Sequence, residues 1–146
     1  MIFIGSDHAG FELKEFLKKY LEKNNIDFTD VGCYNIQNVD YPDIAKEVCQ
    51  AIIDGKAEKG ILVCGTGIGI SIAANKFNGI RAALCSDTYS AKLTRLHNDA
   101  NVLCMGGRVI GQGLAQDITD VFLKTEFEGG RHLNRIKKIS NIENER

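Results

Sequence analysis

The sequence of 146 residues contains no tryptophan, one proline and no apolar run that approaches a membrane span of about 18 residues. The segment from Met1 to Asp7 has no basic flank and reaches an acidic residue too early for a signal peptide, so we expect a first strand there. An excess of charge is also missing. The formal net charge of -1 provides no general attraction for nucleic acid or an anionic membrane. A bound anion must therefore meet a local cluster of donors.

The cysteines lack the spacing of a metal site. Their number, 5, is odd, and no two of them form a Cys-x-x-Cys pair, which disfavours a zinc site and a disulfide framework. They are Cys33, Cys49, Cys64, Cys85 and Cys104. Free thiols are typical of a cytoplasmic protein, and most of these side chains are expected to be small buried hydrophobes.

Short apolar runs alternate with amphipathic stretches along the chain, whose length fits one domain spanning residues 1–146. The predicted strands cover residues 2–4, 26–31, 60–64, 80–85 and 102–105. Helices are predicted between them, and a basic last helix follows Gly129-Gly130. Without hairpin signals, this order predicts an α/β fold with a parallel five-stranded sheet and right-handed crossovers. In the first helix, Lys14 and Lys18 are assigned to the solvent-facing side.

Polar and glycine-rich segments follow several of the predicted strands. They are Ser6-Asp7-His8, Cys64 to Gly67, Cys85-Ser86-Asp87, and Gly106-Gly107-Arg108. Ligands of open parallel sheets bind beyond the carboxyl ends of the strands, near the point where the strand order reverses. We therefore expect the functional site at this edge.

The loop after the third strand, Cys64 to Gly69, has glycine at every second position from Gly65 onward. Such a loop can point amides at an anion, and a helix beginning there lowers the pKa of a cysteine thiol. This arrangement suits a base or nucleophile at Cys64. Equally, Cys64 could be a core residue and the glycines a simple turn. Ile70 replaces the last glycine of a dinucleotide fingerprint and no Gly-Lys-Ser/Thr occurs, so nicotinamide and P-loop nucleotide binding are disfavoured.

Two histidines, one next to an aspartate and one next to an asparagine, lie beside other predicted strands. Asp7-His8 could bind a polyhydroxyl ligand, or Asp7 could simply cap the next helix. His97-Asn98 lies before the last strand, where His97 is either a general acid or an ordinary helix-end histidine.

Three arginines are candidate phosphate ligands. Arg131 and Arg135 are four residues apart, so they share one face of a helix and could bind one phosphate together with Arg108. A solvated basic helix is the better explanation from these residues alone.

The chain resembles the ribose-5-phosphate isomerase B family, whose wider group includes the galactose-6-phosphate isomerase subunits. The resemblance spans essentially the whole chain. The matching motifs are Gly5-Ser6-Asp7-His8-Ala9-Gly10-Phe11, Val39-Asp40-Tyr41-Pro42-Asp43, the run from Cys64 to Lys76, Gly79-Ile80-Arg81-Ala82, the run from His97 to Leu103, and Glu128-Gly129-Gly130-Arg131-His132.

The resemblance implies a Rossmann-like three-layer sandwich that forms a homodimer, paired into a tetramer in some members, with shared active sites and a C-terminal helix reaching the partner subunit. It implies metal-free, cofactor-free interconversion of ribose 5-phosphate and ribulose 5-phosphate in the pentose phosphate pathway. By position, Cys64 would be the base, and Thr66 with the amides of Gly65, Gly67, Ile68 and Gly69 would stabilise the enediolate. His97 would open the sugar ring. Asp7, His8 and Asn98 would bind the sugar, and Arg108, Arg131 and Arg135, with His8, the phosphate.

Other functions remain open from the sequence. The same chemistry on allose 6-phosphate or galactose 6-phosphate is the nearest alternative. A non-enzymatic sensor of phosphorylated sugars, or a thiol redox protein that pairs Cys64 with Cys85 or Cys104, would also use parts of this pattern.

Overall fold

The structure is a computed structural model that describes residues 1–146. Five strands and six helices follow one another in the order β1 (Ile2–Ser6), α1 (Phe11–Lys23), β2 (Phe28–Asp30), α2 (Tyr41–Ile53), β3 (Lys59–Cys64), α3 (Ile68–Ala74), β4 (Ala82–Leu84), α4 (Thr88–Asn98), β5 (Val102–Gly106), α5 (Gln112–Lys124) and α6 (Arg131–Asn144). No helix is both long enough and apolar enough to span a membrane.

The five strands form one parallel sheet in the order β2-β1-β3-β5-β4. Strand β3 is central, as its wholly apolar run Ile61-Leu62-Val63-Cys64 predicts, because both faces of a central parallel strand are covered by helices. The chain runs from β1 outward to β2, then returns to β3 on the other side. The strand order therefore reverses between β1 and β3, and the predicted α/β sandwich is confirmed.

Helices cover both faces of the sheet, and each face has its own apolar core. On one face, Ile4, Ile61 and Leu103 pack against α1 and α5 through residues such as Leu17 and Phe122. On the other face, side chains of β3 and β5 pack against α2 and α3. Helix α6 lies outside these layers and contacts α4. The helices thus cover the faces of the sheet and leave uncovered its two edges, where the strands begin and end. Functional residues can lie at these edges.

The two outermost strands are shorter than their sequence patterns predict. Strand β2 covers three residues rather than 26–31, and β4 covers three rather than 80–85. Each is an outermost strand of the sheet and has only one neighbouring strand to pair with. The side chains of these two strands are half-buried or exposed, and with a single neighbour each strand has a ladder of hydrogen bonds on one side only.

The assignment of Lys14 to the solvent-facing side of α1 is wrong. Lys14 is 0% exposed, and its ammonium group donates to both carboxylate oxygens of Asp30 at 2.7 Å and to the Cys33 carbonyl at 2.6 Å. Because β2 ends beside the first turn of α1, a lysine there can reach a carboxylate and bury its whole side chain. A helical spacing pattern cannot reveal a partner that comes from a distant strand.

Candidate active site

The loop after β3 places a thiol against a backbone amide at the carboxyl edge of the sheet. The Gly67 amide donates a hydrogen bond to Cys64 Sγ across 3.1 Å, and the Ile68 amide donates to Thr66 Oγ1 across 3.2 Å. Gly67 has φ +80, and a Cβ there would lie 2.5 Å from Leu84 Cδ1. Glycine is therefore required for the turn that brings this amide to the sulfur.

The five cysteines are all free and buried, but their environments differ. Burial raises the pKa of Cys49 to about 12, and burial followed by Asp87 raises that of Cys85 to about 11. Burial also raises the pKa of Cys104 well above its usual value. Cys64 is 5% exposed and belongs to the apolar core beneath α2 and α3, so the core position considered for it from the sequence is present. Unlike these three, Cys64 is the last residue of a strand, and a backbone amide donates a hydrogen bond to its sulfur.

Asp7 and His8 follow β1 at the same edge, beside β3. The Asp7 carboxylate oxygen Oδ1 accepts hydrogen bonds from the amides of Ala9 and Gly10, and the Asp7 amide donates to the Val63 carbonyl. Asp7 does not cap α1, whose N-cap is Gly10 and has no side-chain cap. Its carboxylate instead holds the turn before the helix, and its second oxygen is left for another partner. The Val39 amide donates to His8 Nδ1 across 3.3 Å, which ties the loop before α2 to this edge.

Two larger side chains border the glycine loop. Arg108, which follows β5, lies over Gly65: a Cβ at position 65 would be 3.8 Å from Arg108 Cδ and 3.9 Å from its Nη1. The Tyr41 ring lies against Gly69, where a Cβ would be 2.7 Å from Tyr41 Cζ. The sequence patterns singled out Arg108 but not Tyr41 as a site residue. Only the glycine at position 69, small enough to admit a ring, signals this contact.

His97 and Asn98 lie at the opposite edge of the sheet within one chain. They end α4, which starts after the carboxyl end of β4 and runs back for 11 residues, about 16 Å. The Arg81 side chain, just before β4, donates to the Asn98 carbonyl across 2.8 Å. Within one chain, His97 and Cys64 therefore lie about the length of β3 apart, roughly 20 Å for its six residues.

The arginines of α6 lie at the same edge of the sheet as His97, opposite the edge with Cys64. The rings of His97 and His132 are stacked, with centroids 4.2 Å apart and planes 15° apart. Arg131 and Arg135 flank His132 on α6, and both are exposed. The structure thus brings His97, Asn98, Arg131 and Arg135 to one edge, and it brings Asp7, His8, Cys64, Gly65, Thr66, Gly67, Ile68, Gly69 and Arg108 to the other.

Comparison with known proteins assigns the family. Residues 2–139 match the sequence profile described as ribose/galactose isomerase. The chain is 48% identical over 145 residues to ribose-5-phosphate isomerase B of Escherichia coli, covering 99% of this chain and 97% of the relative. It is 46% identical over 145 residues to D-erythrulose-4-phosphate isomerase of Pectobacterium atrosepticum, covering 99% and 95%.

The fold agrees with that assignment. The solved structure of ribose-5-phosphate isomerase B from Clostridium thermocellum superposes with a TM-score of 0.97 at 50% identity, covering 99% of this chain and 97% of the other. Sequence and fold agree along nearly the whole length, and the chain belongs to the ribose/galactose isomerase family.

Proposed function

We propose that this protein is an aldose-ketose isomerase that interconverts D-ribose 5-phosphate and D-ribulose 5-phosphate, with Cys64 as its base. The observation that carries the proposal is the Cys64 thiol at the carboxyl end of the central strand, hydrogen-bonded to the Gly67 amide. Family membership supports the reaction, since the E. coli relative is named ribose-5-phosphate isomerase B.

The proton transfer uses the Cys64 sulfur and the loop amides. The Cys64 thiolate removes the proton from C2 of the open-chain aldose, and the electron pair moves through C1 to O1 to form an enediolate. The thiol then returns the proton to C1 while a proton passes from O2 to O1, which yields the ketose. Thr66 and the amides between Gly65 and Gly69 stabilise the enediolate oxygen, and one such donor contributes about 3 kcal/mol. Helix α3 begins at the loop, and its amino end favours the negative charge on the enediolate oxygen.

Ring opening and orientation need the remaining candidate residues. His97 acts as the acid that protonates the ring oxygen, and Asp7, His8 and Asn98 bind the sugar hydroxyl groups. The phosphate is bound by Arg108, Arg131 and Arg135 with help from His8. Holding the phosphate fixes the reacting carbons against Cys64, and such orientation contributes to rate.

These roles require two copies of the chain. One chain has Cys64 at one edge of its sheet and His97 at the other, so a complete site pairs the first edge of one copy with the second edge of its partner. In a two-fold dimer this exchange happens twice and completes two sites. Exposed apolar side chains beside the glycine loop support such contact: Ile68, Ile72 and Leu84 are 52%, 57% and 42% exposed. Helix α6, which contains Arg131 and Arg135, reaches the partner in this arrangement.

Replacing the thiol tests the proposed base. We expect Cys64→Ala to lower kcat for ribose 5-phosphate by about a hundredfold or more, the usual contribution of a positioned base. Binding of the phosphorylated sugar and folding should persist, because the arginines and the core remain. Cys33→Ala is the matched control, since Cys33 is also 5% exposed but lies outside the loop. Full activity of Cys64→Ala would refute the base. Binding without any turnover by the unaltered protein would favour a sensor.

A sugar phosphate of another chain length is a second candidate substrate. The P. atrosepticum relative is named for a four-carbon ketose phosphate, and six-carbon sugar phosphates extend the range the other way. We expect kcat/KM to be highest for ribose 5-phosphate when it is compared with D-erythrulose 4-phosphate and allose 6-phosphate. A higher value for either of the others would change the substrate without changing the chemistry.

We also propose that residues 1–146 act as one domain and that the enzyme works in the cytoplasm. Both cores are built on a single sheet. Five free thiols suit a reducing compartment.

A further inference from the structure

Three potential metal ligands lie together where the end of α4 meets the start of α6. A ring nitrogen of His97, a carboxylate oxygen of Glu128 and a ring nitrogen of His132 all lie within 4.8 Å of one another. Two imidazoles and one carboxylate form a donor set that Zn²⁺ and related divalent transition metals prefer. Nothing in the isomerase chemistry derived above uses Glu128 or His132.

His132 provides an independent sign of a missing ligand. It is 2% exposed, and its Nε2 is buried without a hydrogen-bond partner. Glu128 Oε1 lies 3.8 Å from this nitrogen, which is too far for a hydrogen bond. A buried nitrogen with no partner has lost its hydrogen bond to water, so a ligand that supplies a bond is favoured.

The three donors need only side-chain rotation to surround an ion. Around a tetrahedral Zn²⁺ with bonds of about 2.1 Å, ligand atoms stand about 3.4 Å apart. The Glu128 side chain is 55% exposed and free to turn inward. Rotation of the His97 ring would direct its lone pair toward the ion and end the stacking with His132, whose own ring stays fixed by burial.

The surrounding charges limit the affinity and identify the critical residue. Arg131 is adjacent to His132 in the chain and Arg135 is three residues further along α6, so both positive charges oppose a cation there. Glu128 is the acidic member of the cluster, and its negative charge attracts a cation. Binding should therefore depend strongly on the Glu128 carboxylate.

We propose that His97, Glu128 and His132 form a binding site for a divalent transition metal of the Zn²⁺ class, and that an ion there inhibits isomerisation by withdrawing His97 from ring opening. Binding exchanges water on the ion for two imidazoles and a carboxylate and involves no redox step. The inhibition depends on the function proposed above, whereas the binding does not.

Cobalt binding tests the site directly. Reduced protein in phosphate-free buffer is titrated with Co²⁺ and followed by equilibrium dialysis and visible absorption. We expect one ion per chain with tetrahedral d–d bands and without thiolate-to-cobalt charge transfer. Glu128→Gln should weaken binding about tenfold or more, and His132→Gln, with folding checked by circular dichroism, should abolish it. Glu126→Gln is the matched control, because Glu126 is an exposed acid on the same segment outside the cluster.

Several results would overturn the site. No binding to the unaltered protein, equal binding by both variants, or a thiolate charge-transfer band would each contradict ligation by these three residues. Equal weakening by Glu126→Gln would show that only general acidity matters.

Activity tests the inhibitory effect separately. Zn²⁺ should slow the unaltered enzyme, and Glu128→Gln should keep its basal rate while needing about tenfold more Zn²⁺ for the same inhibition. Equal inhibition of the two proteins would refute the inhibitory role. Normal Co²⁺ binding by a protein with no isomerase activity would refute both that role and the proposed function, and would leave the metal site standing.

Discussion

At the scale of single residues, Lys14 shows how one buried charge joins three parts of the fold. Its ammonium group links α1 to Asp30 at the end of β2 and to the Cys33 carbonyl beyond it. The chain from Cys33 then leads to Val39, which donates to His8. A change at Lys14 can therefore alter the loop that borders the candidate active site without touching a substrate.

We expect Lys14→Met to lower the free energy of unfolding by about 3 kcal/mol, the low end for breaking a buried ion pair. Asp30 keeps its contact with Lys18 at 2.8 Å, which limits the loss. Lys18→Met is the matched control, because the Lys18 side chain is 22% exposed, and it should cost about 1 kcal/mol or less. Urea denaturation of both variants measures the difference. Equal losses would show that the burial of Lys14 contributes nothing.

The same pair predicts how stability depends on pH. Burial alone would raise the pKa of Asp30, but hydrogen bonds from Lys14, Lys18 and the Gly32 amide outweigh it and hold the pKa below 3.8. Asp30 therefore binds protons less readily in the folded chain than in the unfolded one. Its contribution to stability is complete above about pH 4 and is lost as the pH falls through the lowered pKa. Asp30→Asn should show a smaller loss of stability over that acidic range, measured by urea denaturation at each pH.

At the scale of elements, the end of α4 is held by a buried arginine. Arg95 is 6% exposed and donates from Nη1 to Asp99 Oδ1 at 2.8 Å and to the Ala100 carbonyl at 2.7 Å. Its Nε donates to the Thr125 carbonyl at 3.0 Å. This side chain joins the end of α4 to the end of α5 and fixes the turn at Asp99-Ala100, which follows His97.

Arg95→Met should therefore affect stability and activity together. The Ala100 and Thr125 carbonyls would lose a charged donor, which should cost about 2–3 kcal/mol of unfolding free energy. The kcat for ribose 5-phosphate should fall as well, because the end of α4 that contains His97 loosens, while KM changes less. Lys92→Met, at an exposed position of the same helix, is the control. Loss of stability without any change in kcat would show that Arg95 does not position His97 for catalysis.

At the scale of the whole molecule, the proposed dimer makes the two edges of one sheet contribute to two different sites. We expect Cys64→Ala and His97→Asn to be nearly inactive alone and to recover activity when they are unfolded and refolded together. Random pairing makes half of the dimers mixed, and each mixed dimer has one intact site of two. The recovered activity should therefore be about a quarter of the unaltered enzyme's. No recovery, with normal folding of both variants, would contradict a shared site.

Much of the architecture was predictable because it depends on local periodicity. The apolar run of β3 indicated a central strand, and the alternation of strands and helices indicated a parallel sheet. The lengths of β2 and β4 were not predictable, since they depend on how many neighbours each strand has. Lys14 and Tyr41 were missed for the same reason: their partners, Asp30 and Gly69, lie far away in the chain.

By itself, the sequence determined the order of the elements, the parallel sheet and the Cys64 loop, because periodicity, glycine placement and motif spacing are written along the chain. It also determined the family, through motifs that extend from Gly5 to His132. Only the tertiary structure decided that Cys64 and His97 occupy opposite edges of one sheet. That separation arises because α4 runs antiparallel to the strands and returns the chain to their amino ends before β5 begins.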